Sequence, residues 1–301
     1  GTRRRARFAV SSRGVGFRRR TSHQLVNLEE CYVLDPRLFA CVAPLRRNAP
    51  LFWPRGGQGA ATVQWAEAGA DLLLDMAAPP DLATLEHLAR FAEAQDLARL
   101  SWRAPGSGLA TPVAERRPVQ VIFAGVAVDL PPDSFLQASV EAEAALTSAV
   151  LEAVGSASRI ADLYAGLGTF TFALAARAHL HAVEVSKPAI ASLSRAASRA
   201  GLAHRITTER RDLTLSPLSP QELGRFDAVL FDPPRAGARE QALCIARAQI
   251  PLVVAISCDP ATFARDARTL LDGGYRLTRV LPIDQFPWSP HVELIAVFAG
   301  P

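Results

Sequence analysis

Apolar and polar positions alternate in two different rhythms along this chain. From residue 1 to about 130, short runs such as Ala61-Thr62-Val63-Gln64-Trp65 and Asp71-Leu72-Leu73-Leu74 flank acidic, glycine-containing turns, as antiparallel strands do. Gly56, Gly57 and Gly59 are expected to mark a tight turn. After Pro79 and Pro80, the stretch from Asp81 to Gln95 places Leu82, Leu85, Leu88, Ala89 and Phe91 near helical spacing. One helix packed on a small sheet, an α+β domain, is the expectation for this part.

The rhythm changes near Leu130. Pro131-Pro132-Asp133-Ser134 leads into a helix predicted from Ser139 to Val154 and closed by Gly155. Strands are predicted at 159–163, 181–185, 206–210, 226–231, 251–257, 275–281 and 292–298, with helices after most of the first five. Repeated β-α units of this kind form a parallel, doubly wound sheet, so the fold class is α/β with a mainly parallel seven-stranded sheet. The last two strands are joined through Pro282 to His291 without a helix, which predicts an antiparallel hairpin at the sheet edge. The expected domains are 1–129 and 130–301.

Composition sharpens this picture in three places. With 301 residues and 49% hydrophobic content, the chain can bury the cores of two domains. It contains no run of eighteen uncharged apolar residues and no apolar segment after its first arginines, so neither a membrane span nor a signal peptide is expected and the cytoplasm is the expected location. The four cysteines, Cys31, Cys41, Cys244 and Cys258, form no C-x-x-C pair, so neither a disulfide framework nor a metal site is expected. The net charge is only +4, yet residues 1 to 20 carry eight arginines (3, 4, 5, 7, 13, 18, 19 and 20) and no acid. That end is expected to attract an anion, either as phosphate-binding surface or simply as a charged, solvated sheet edge. The chain starts at Gly1 and its one methionine is Met76, so a natural N-terminus is expected upstream.

The segment from Arg159 to Phe170 has the pattern of a strand, a glycine-rich turn and the start of a helix, with Gly166 and Gly168 allowing a ligand to approach the backbone. A dinucleotide fingerprint would carry a third small residue where Thr171 stands, and Asp162 would repel a pyrophosphate. A cationic sulfonium ligand with an ammonium group suits Asp162 better. Glu184 ends the next strand, where a carboxylate can accept both ribose hydroxyls, and Asp212, expected at the end of the third, suits an adenine amino group. Each acid by itself could equally be a turn or cap residue.

Phe231-Asp232-Pro233-Pro234-Arg235 closes the fourth strand and Ser257-Cys258-Asp259-Pro260 the fifth, so both face the same crevice. Asp-Pro-Pro followed by an aromatic would suit amino-group methylation, but Arg235 takes the aromatic's place. Carbon 5 of uracil becomes nucleophilic only when a thiolate adds at carbon 6, and Cys258 is placed to supply that thiolate. The carbon 5 proton must then be removed by a base, for which Glu293, the one acid in its apolar run, and the nearby His291 are candidates. A cysteine at a strand end can also be plain packing.

Taken together, Phe135-Leu136-Gln137, Asp162 to Gly168, Asp232 to Arg235, Ser257 to Pro260 and Phe286 to Glu293 resemble the successive motifs of bacterial RNA uracil-5-methyltransferases, over about residues 2 to 299. The resemblance implies a Rossmann-like methyltransferase domain using S-adenosylmethionine, with ribosomal or transfer RNA as partner, a smaller N-terminal RNA-binding domain, and no obligatory protein partner. It implies cofactor contacts from Gln137, Tyr164, Glu184 and Asp232, a nucleophile at Cys258 and a proton-abstracting Glu293. This sequence departs from the family at Ala165 and Thr169, where Cys and Asn are usual, and at Asp259, where Asn is common. The stretches Gly16 to His23 and Leu28 to Cys31 resemble the segment that in many members supplies the last of four cysteine ligands to an iron–sulfur cluster, so a cluster is expected only if three more cysteines lie upstream. An RNA cytosine-5-methyltransferase, which commonly carries a second crevice cysteine in the region of Arg235, and a catalytically silent RNA-binding homologue remain as alternatives.

Overall fold

The computed structural model describes residues 1–12, 14–19, 21–53, 57–289 and 291–301. They form two compact units, Gly1–Val121 with Asp129–Ser139, and Ile122–Val128 with Val140–Pro301.

Among the described residues of the first unit, seven strands build one sheet: β1 (Arg5–Ser11), β2 (Gly14–Arg18), β3 (Leu25–Asn27), β4 (Gln58–Ala66), β5 (Gly69–Asp75), β6 (Arg99–Arg103) and β7 (Thr111–Glu115). Their order is β3-β2-β1-β4-β5-β6-β7, and β5 and β6 are the parallel pair. α1 (Pro36–Phe39) and α2 (Val42–Phe52) follow β3, and α3 (Leu82–Ala94) makes the crossover from β5 to β6. Alternation decides the faces: Phe8, Val10, Val63, Leu72, Leu74 and Leu100 point to the core, where Leu45 and Phe52 of α2 and Leu88 and Phe91 of α3 meet them. The helix expected from Asp81 to Gln95 is α3 with these two residues as its caps, and the Asp81 carboxylate accepts from Thr84 N at 2.8 Å. Gly59 is not part of a turn. It lies in β4 because a Cβ there would stand 2.2 Å from Trp53 Nε1 and 2.3 Å from the Asp75 carbonyl; Gly56 lies outside the described residues.

The opposite face of the sheet carries charge in pairs. Arg99 is bound by Asp71 through two bonds of 2.8 Å, both side chains being buried. Arg7 and Arg103 share Asp75 at 2.6 Å each, and Arg103 and Arg5 share Asp133 at 2.7 and 2.5 Å. Within the arginine-rich start, Arg5 and Arg7 are balanced by acids distant in sequence. Arg18 and Arg19 are exposed, while Arg13 and Arg20 lie outside the described residues. Arginines in and beside this sheet also tie down the segment of residues 130–139. Arg4 binds the carbonyls of Ala138 and Gln137, Arg99 binds that of Leu130, and Arg5 and Arg103 bind Asp133, so residues 130–139 belong to the first unit.

The chain passes between units through the ribbon β8 (Gln120–Phe123) and β9 (Val126–Asp129) and continues into α4 (Val140–Val154). In the second unit, strands and helices alternate: β10 (Arg159–Leu163), α5 (Thr169–Leu174), β11 (His179–Glu184), α6 (Lys187–Arg199), β12 (Ile206–Arg210), α7 (Pro220–Leu223), β13 (Ala228–Phe231), α8 (Arg239–Ala248), β14 (Leu252–Ser257), α9 (Pro260–Asp272), β15 (Arg276–Ile283) and β16 (Glu293–Ala299). The sheet order is β12-β11-β10-β13-β14-β16-β15. β10 to β14 are parallel, and β16 is antiparallel to both of its neighbours, with β15 at the edge. Every residue of β13 is buried, as a strand covered on both faces requires. Successive strands run outward in opposite directions from β10, so a crevice opens at the carboxyl ends of β10 and β13.

Candidate active site

Parallel pairing brings the carboxyl ends of β10, β11, β13 and β14 to one edge of the sheet, and the antiparallel β16 presents its amino end there. The loop after β10 turns sharply: Tyr164, Gly166 and Gly168 have φ of 62, 58 and 93°. Gly168 touches the fold, since a Cβ there would lie 2.8 Å from the Phe172 ring and 3.1 Å from Leu193. Gly166 faces open space, with no atom within 4 Å of such a Cβ. Its N–H donates to Glu184 Oε2 at 2.9 Å, and Ser186 N donates to the other carboxylate oxygen at 2.7 Å. Glu184 is thereby locked against the glycine-rich loop.

Asp162 is 1% exposed on β10. One of its oxygens accepts from Thr171 Oγ1 at 2.5 Å, while Oδ1 is buried with no hydrogen-bond partner. Burial, with a smaller contribution from the charge of Glu184, pushes its carboxyl up to about 7. An unsatisfied buried carboxylate oxygen beside an open glycine loop and a fixed second carboxylate fits a ligand carrying positive charge and hydroxyl groups. Thr171, noted in the sequence only as a residue too large for a dinucleotide fingerprint, is the residue that orients Asp162.

Asp212 does not end the third strand. β12 stops at Arg210, and Asp212 Oδ1 accepts from Thr214 N and Leu215 N at 2.9 and 3.4 Å, a turn-capping role. Burial, then the charges of Asp266 and Asp212, raise the Tyr164 phenol above its ordinary range. Gln137 belongs to the first unit, where it is buried and its carbonyl accepts from Arg4 Nε at 3.1 Å.

The reacting end is built by two loops and a strand. The loop after β13 is stapled to α9: Thr262 Oγ1 donates to the Arg235 carbonyl, Arg265 to that of Ala236, and the buried Asp266 accepts from Ala238 N at 2.6 Å. Ser257 and Asp259 fix the turn that holds Cys258. The Ser257 hydroxyl bonds the Asp259 backbone, and Asp259 Oδ1 caps α9 by accepting from Ala261 N and Thr262 N at 2.9 and 3.1 Å. An asparagine oxygen would make the same cap, which explains why Asp is tolerated at this position. Ser257 pairs with Leu294 at the end of the antiparallel ladder, and Cys258 and Glu293 are the next residues on the two chains.

Cys258 is partly exposed, whereas Glu293 is 3% exposed. Glu293 Oε2 accepts from Gln285 Nε2 at 2.6 Å. Burial raises the Glu293 carboxyl, and it raises Asp232 strongly, with the charges of Glu293 and Asp162 adding to the effect. The Cys258 thiol is likewise raised, first by burial and then by Glu293 and Asp232, against a lowering by Arg235. The Cys258 thiol and the Asp232 and Glu293 carboxyls thus lie within electrostatic reach of one another. Gln285 was missed in the sequence because a neutral amide next to Phe286 and Pro287 carries no catalytic signature of its own.

The family model described as tRNA (uracil-5-)-methyltransferase matches residues 125–299. An uncharacterized RNA methyltransferase of Brucella suis is 42% identical over 300 residues, covering 98% of this chain and 71% of that one. A 23S rRNA (uracil(1939)-C(5))-methyltransferase of Chromohalobacter salexigens is 35% identical, covering 97% and 63%. Among solved structures, the tRNA (uracil-54, C5)-methyltransferase of Pyrococcus abyssi in complex with S-adenosyl-L-homocysteine superposes with a TM-score of 0.76 at 23% identity, covering 99% of this chain and 76% of that one. With a family match over more than half of the chain and relatives of this identity along nearly its full length, the chain belongs to the tRNA (uracil-5-)-methyltransferase family.

Proposed function

We propose that this protein transfers a methyl group from S-adenosylmethionine to carbon 5 of a uridine in ribosomal or transfer RNA, with Cys258 as nucleophile and Glu293 as base. The observation that carries this reading is the antiparallel register of β14 and β16, whose pair of Ser257 with Leu294 leaves a thiol and a buried carboxylate at adjoining strand ends. S-adenosylmethionine supplies an electrophilic methyl group on a sulfonium. Asp162, Glu184 and the Tyr164 to Gly168 loop would hold it, with Asp212 and Asp232 at the margins of that site; the assignment of Gln137 as a cofactor contact rests on the family resemblance alone. Arg18 and Arg19, exposed on the first unit, are the arginines suited to RNA phosphates.

The residues divide the work by position. The Ser257 to Asp259 turn presents Cys258 to carbon 6 of the ring; the thiol gives up its proton to solvent, and addition of the thiolate places negative charge on carbon 5 and the adjoining carbonyl. Once carbon 5 is methylated, Glu293 removes its proton. The C5–H electrons reform the C5–C6 double bond, and the C6–S bond breaks to release Cys258. Burial of Glu293 suits this role, because a carboxylate held above its ordinary range is a stronger base.

Incubation with a methyl-labelled donor and unmodified ribosomal and transfer RNA transcripts, followed by digestion to nucleosides, tests the reading. Label in 5-methyluridine is expected. Label in 5-methylcytidine, or none with either RNA, would overturn it.

A further inference from the structure

Building on that reading, we infer that Gln285 is a positioning residue that holds the Glu293 carboxylate in place for removal of the carbon 5 proton. Ile283 at the end of β15 is registered with Glu293 at the start of β16, so Gln285, two residues further along, returns its side chain to the same face as a diagonal neighbour. The amide Nε2 donates to Glu293 Oε2 at 2.6 Å, and both side chains are buried, at 7% and 3% exposure. The turn that carries Gln285 is itself tied down, since Asp284 Oδ1 accepts from Phe286 N at 3.0 Å.

The chemistry favours an amide over a charged partner. An arginine or lysine in contact with Glu293 would neutralise the carboxylate and weaken it as a base. A glutamine N–H orients the carboxylate and supports its charged form only modestly. After proton transfer the amide can rotate and accept from the new carboxylic acid through its oxygen, so the contact survives both protonation states. Hydrogen bonding to the charged form opposes the effect of burial on Glu293, which balances the base between a carboxyl too weak to deprotonate carbon 5 and one too easily protonated in the free enzyme.

The test is Gln285→Met, which keeps length and removes the N–H, with Gln285→His as a variant that retains a ring donor. In Gln285→Met the covalent protein–RNA species still forms, but its breakdown slows about ten- to a hundredfold, the worth of a hydrogen bond to a charged group. The species therefore accumulates on a denaturing gel during turnover. The acidic limb of the kcat profile moves to higher pH, because loss of the N–H removes support from the charged form of Glu293, while KM for RNA stays near the wild-type value. Gln285→His recovers part of the rate. If Gln285→Met turns over with wild-type rate, pH profile and adduct level while Glu293→Gln traps the adduct, the positioning role is wrong and the proposed mechanism stands. If neither Glu293→Gln nor the wild type ever forms an adduct, both fall. Thermal unfolding of each variant separates these outcomes from misfolding: a Gln285→Met protein that is folded yet forms no adduct also overturns the inference.

Discussion

Gly166 and Gly168 sit two residues apart in one loop, and the structure predicts that alanine at each fails for a different reason. Gly168 has φ of 93°, and an added Cβ would stand 2.8 and 3.0 Å from two atoms of the Phe172 ring and 3.1 Å from Leu193. A left-handed conformation costs an L-residue about 1–2 kcal/mol. Overpacking against a buried ring adds about 1–3 kcal/mol, and the stiffer unfolded chain returns about 0.4–1 kcal/mol. Gly168→Ala should therefore destabilise the second unit by about 2–4 kcal/mol. Gly166 has φ of 58° and open space around the new Cβ, so only the conformational cost applies, about 1 kcal/mol after the same offset. If that space is where the cofactor meets the backbone, Gly166→Ala should bind S-adenosylhomocysteine at least about tenfold more weakly while remaining folded. Urea unfolding followed by circular dichroism and titration calorimetry make the comparison. Wild-type affinity in Gly166→Ala, or equal losses of stability in the two variants, would refute the assignment of one glycine to the fold and the other to the ligand.

Two further outcomes follow from charges placed by the fold. Asp162 has its carboxyl raised from 3.8 to about 7, so the folded protein binds this proton more tightly than the unfolded chain; the associated stability is complete below 3.8 and is lost as pH rises through about 7. Asp162→Asn should abolish this loss, worth about 2–3 kcal/mol between pH 5 and pH 8 in urea titrations, and an unchanged difference between the two pH values would contradict it. On the first unit, replacing Arg18, Arg19 and Arg20 together should reduce the slope of log affinity against log salt by roughly 0.7 to 0.9 for each RNA phosphate that is no longer neutralised, with the folded state intact. An unchanged slope would return these arginines to the role of a solvated edge.

What the sequence disclosed and what it concealed divide along a physical line. The unbroken apolar runs of β13 and β14 and the glycine-rich turn after β10 are local patterns, and so were the positions of Cys258, Asp232 and Glu293 at strand ends. Parallel pairing brings the first two to one sheet edge, and the antiparallel pairing of β16 with β14 brings Glu293 there. Contacts between distant residues left no such trace. Arg7 finds Asp75, Arg5 and Arg103 find Asp133, and nothing near those arginines in sequence announces an acid partner. The pairs to Asp133 tie residues 130–139 to the first unit, where the change in periodicity at Leu130 suggested a boundary. Gly59 had the composition of a turn but serves the close approach of Trp53 to β4, which only tertiary packing reveals. Asp212 shows another contact that the sequence concealed: one of its oxygens accepts from the backbone of its own turn.

The covalent step is the heart of the account, and one pair of variants tests it most directly. Cys258→Ala lacks the thiol that adds to carbon 6, so it should give neither methylated uridine nor an adduct. Glu293→Gln keeps the thiol and loses the base, so methyl transfer should proceed once and leave the ring attached to Cys258. A denaturing gel of each variant after incubation with S-adenosylmethionine and RNA should show a slow-migrating protein–RNA species in Glu293→Gln and none in Cys258→Ala. Methylated uridine from the Cys258→Ala protein, or normal turnover without a trapped species in Glu293→Gln, would contradict the mechanism.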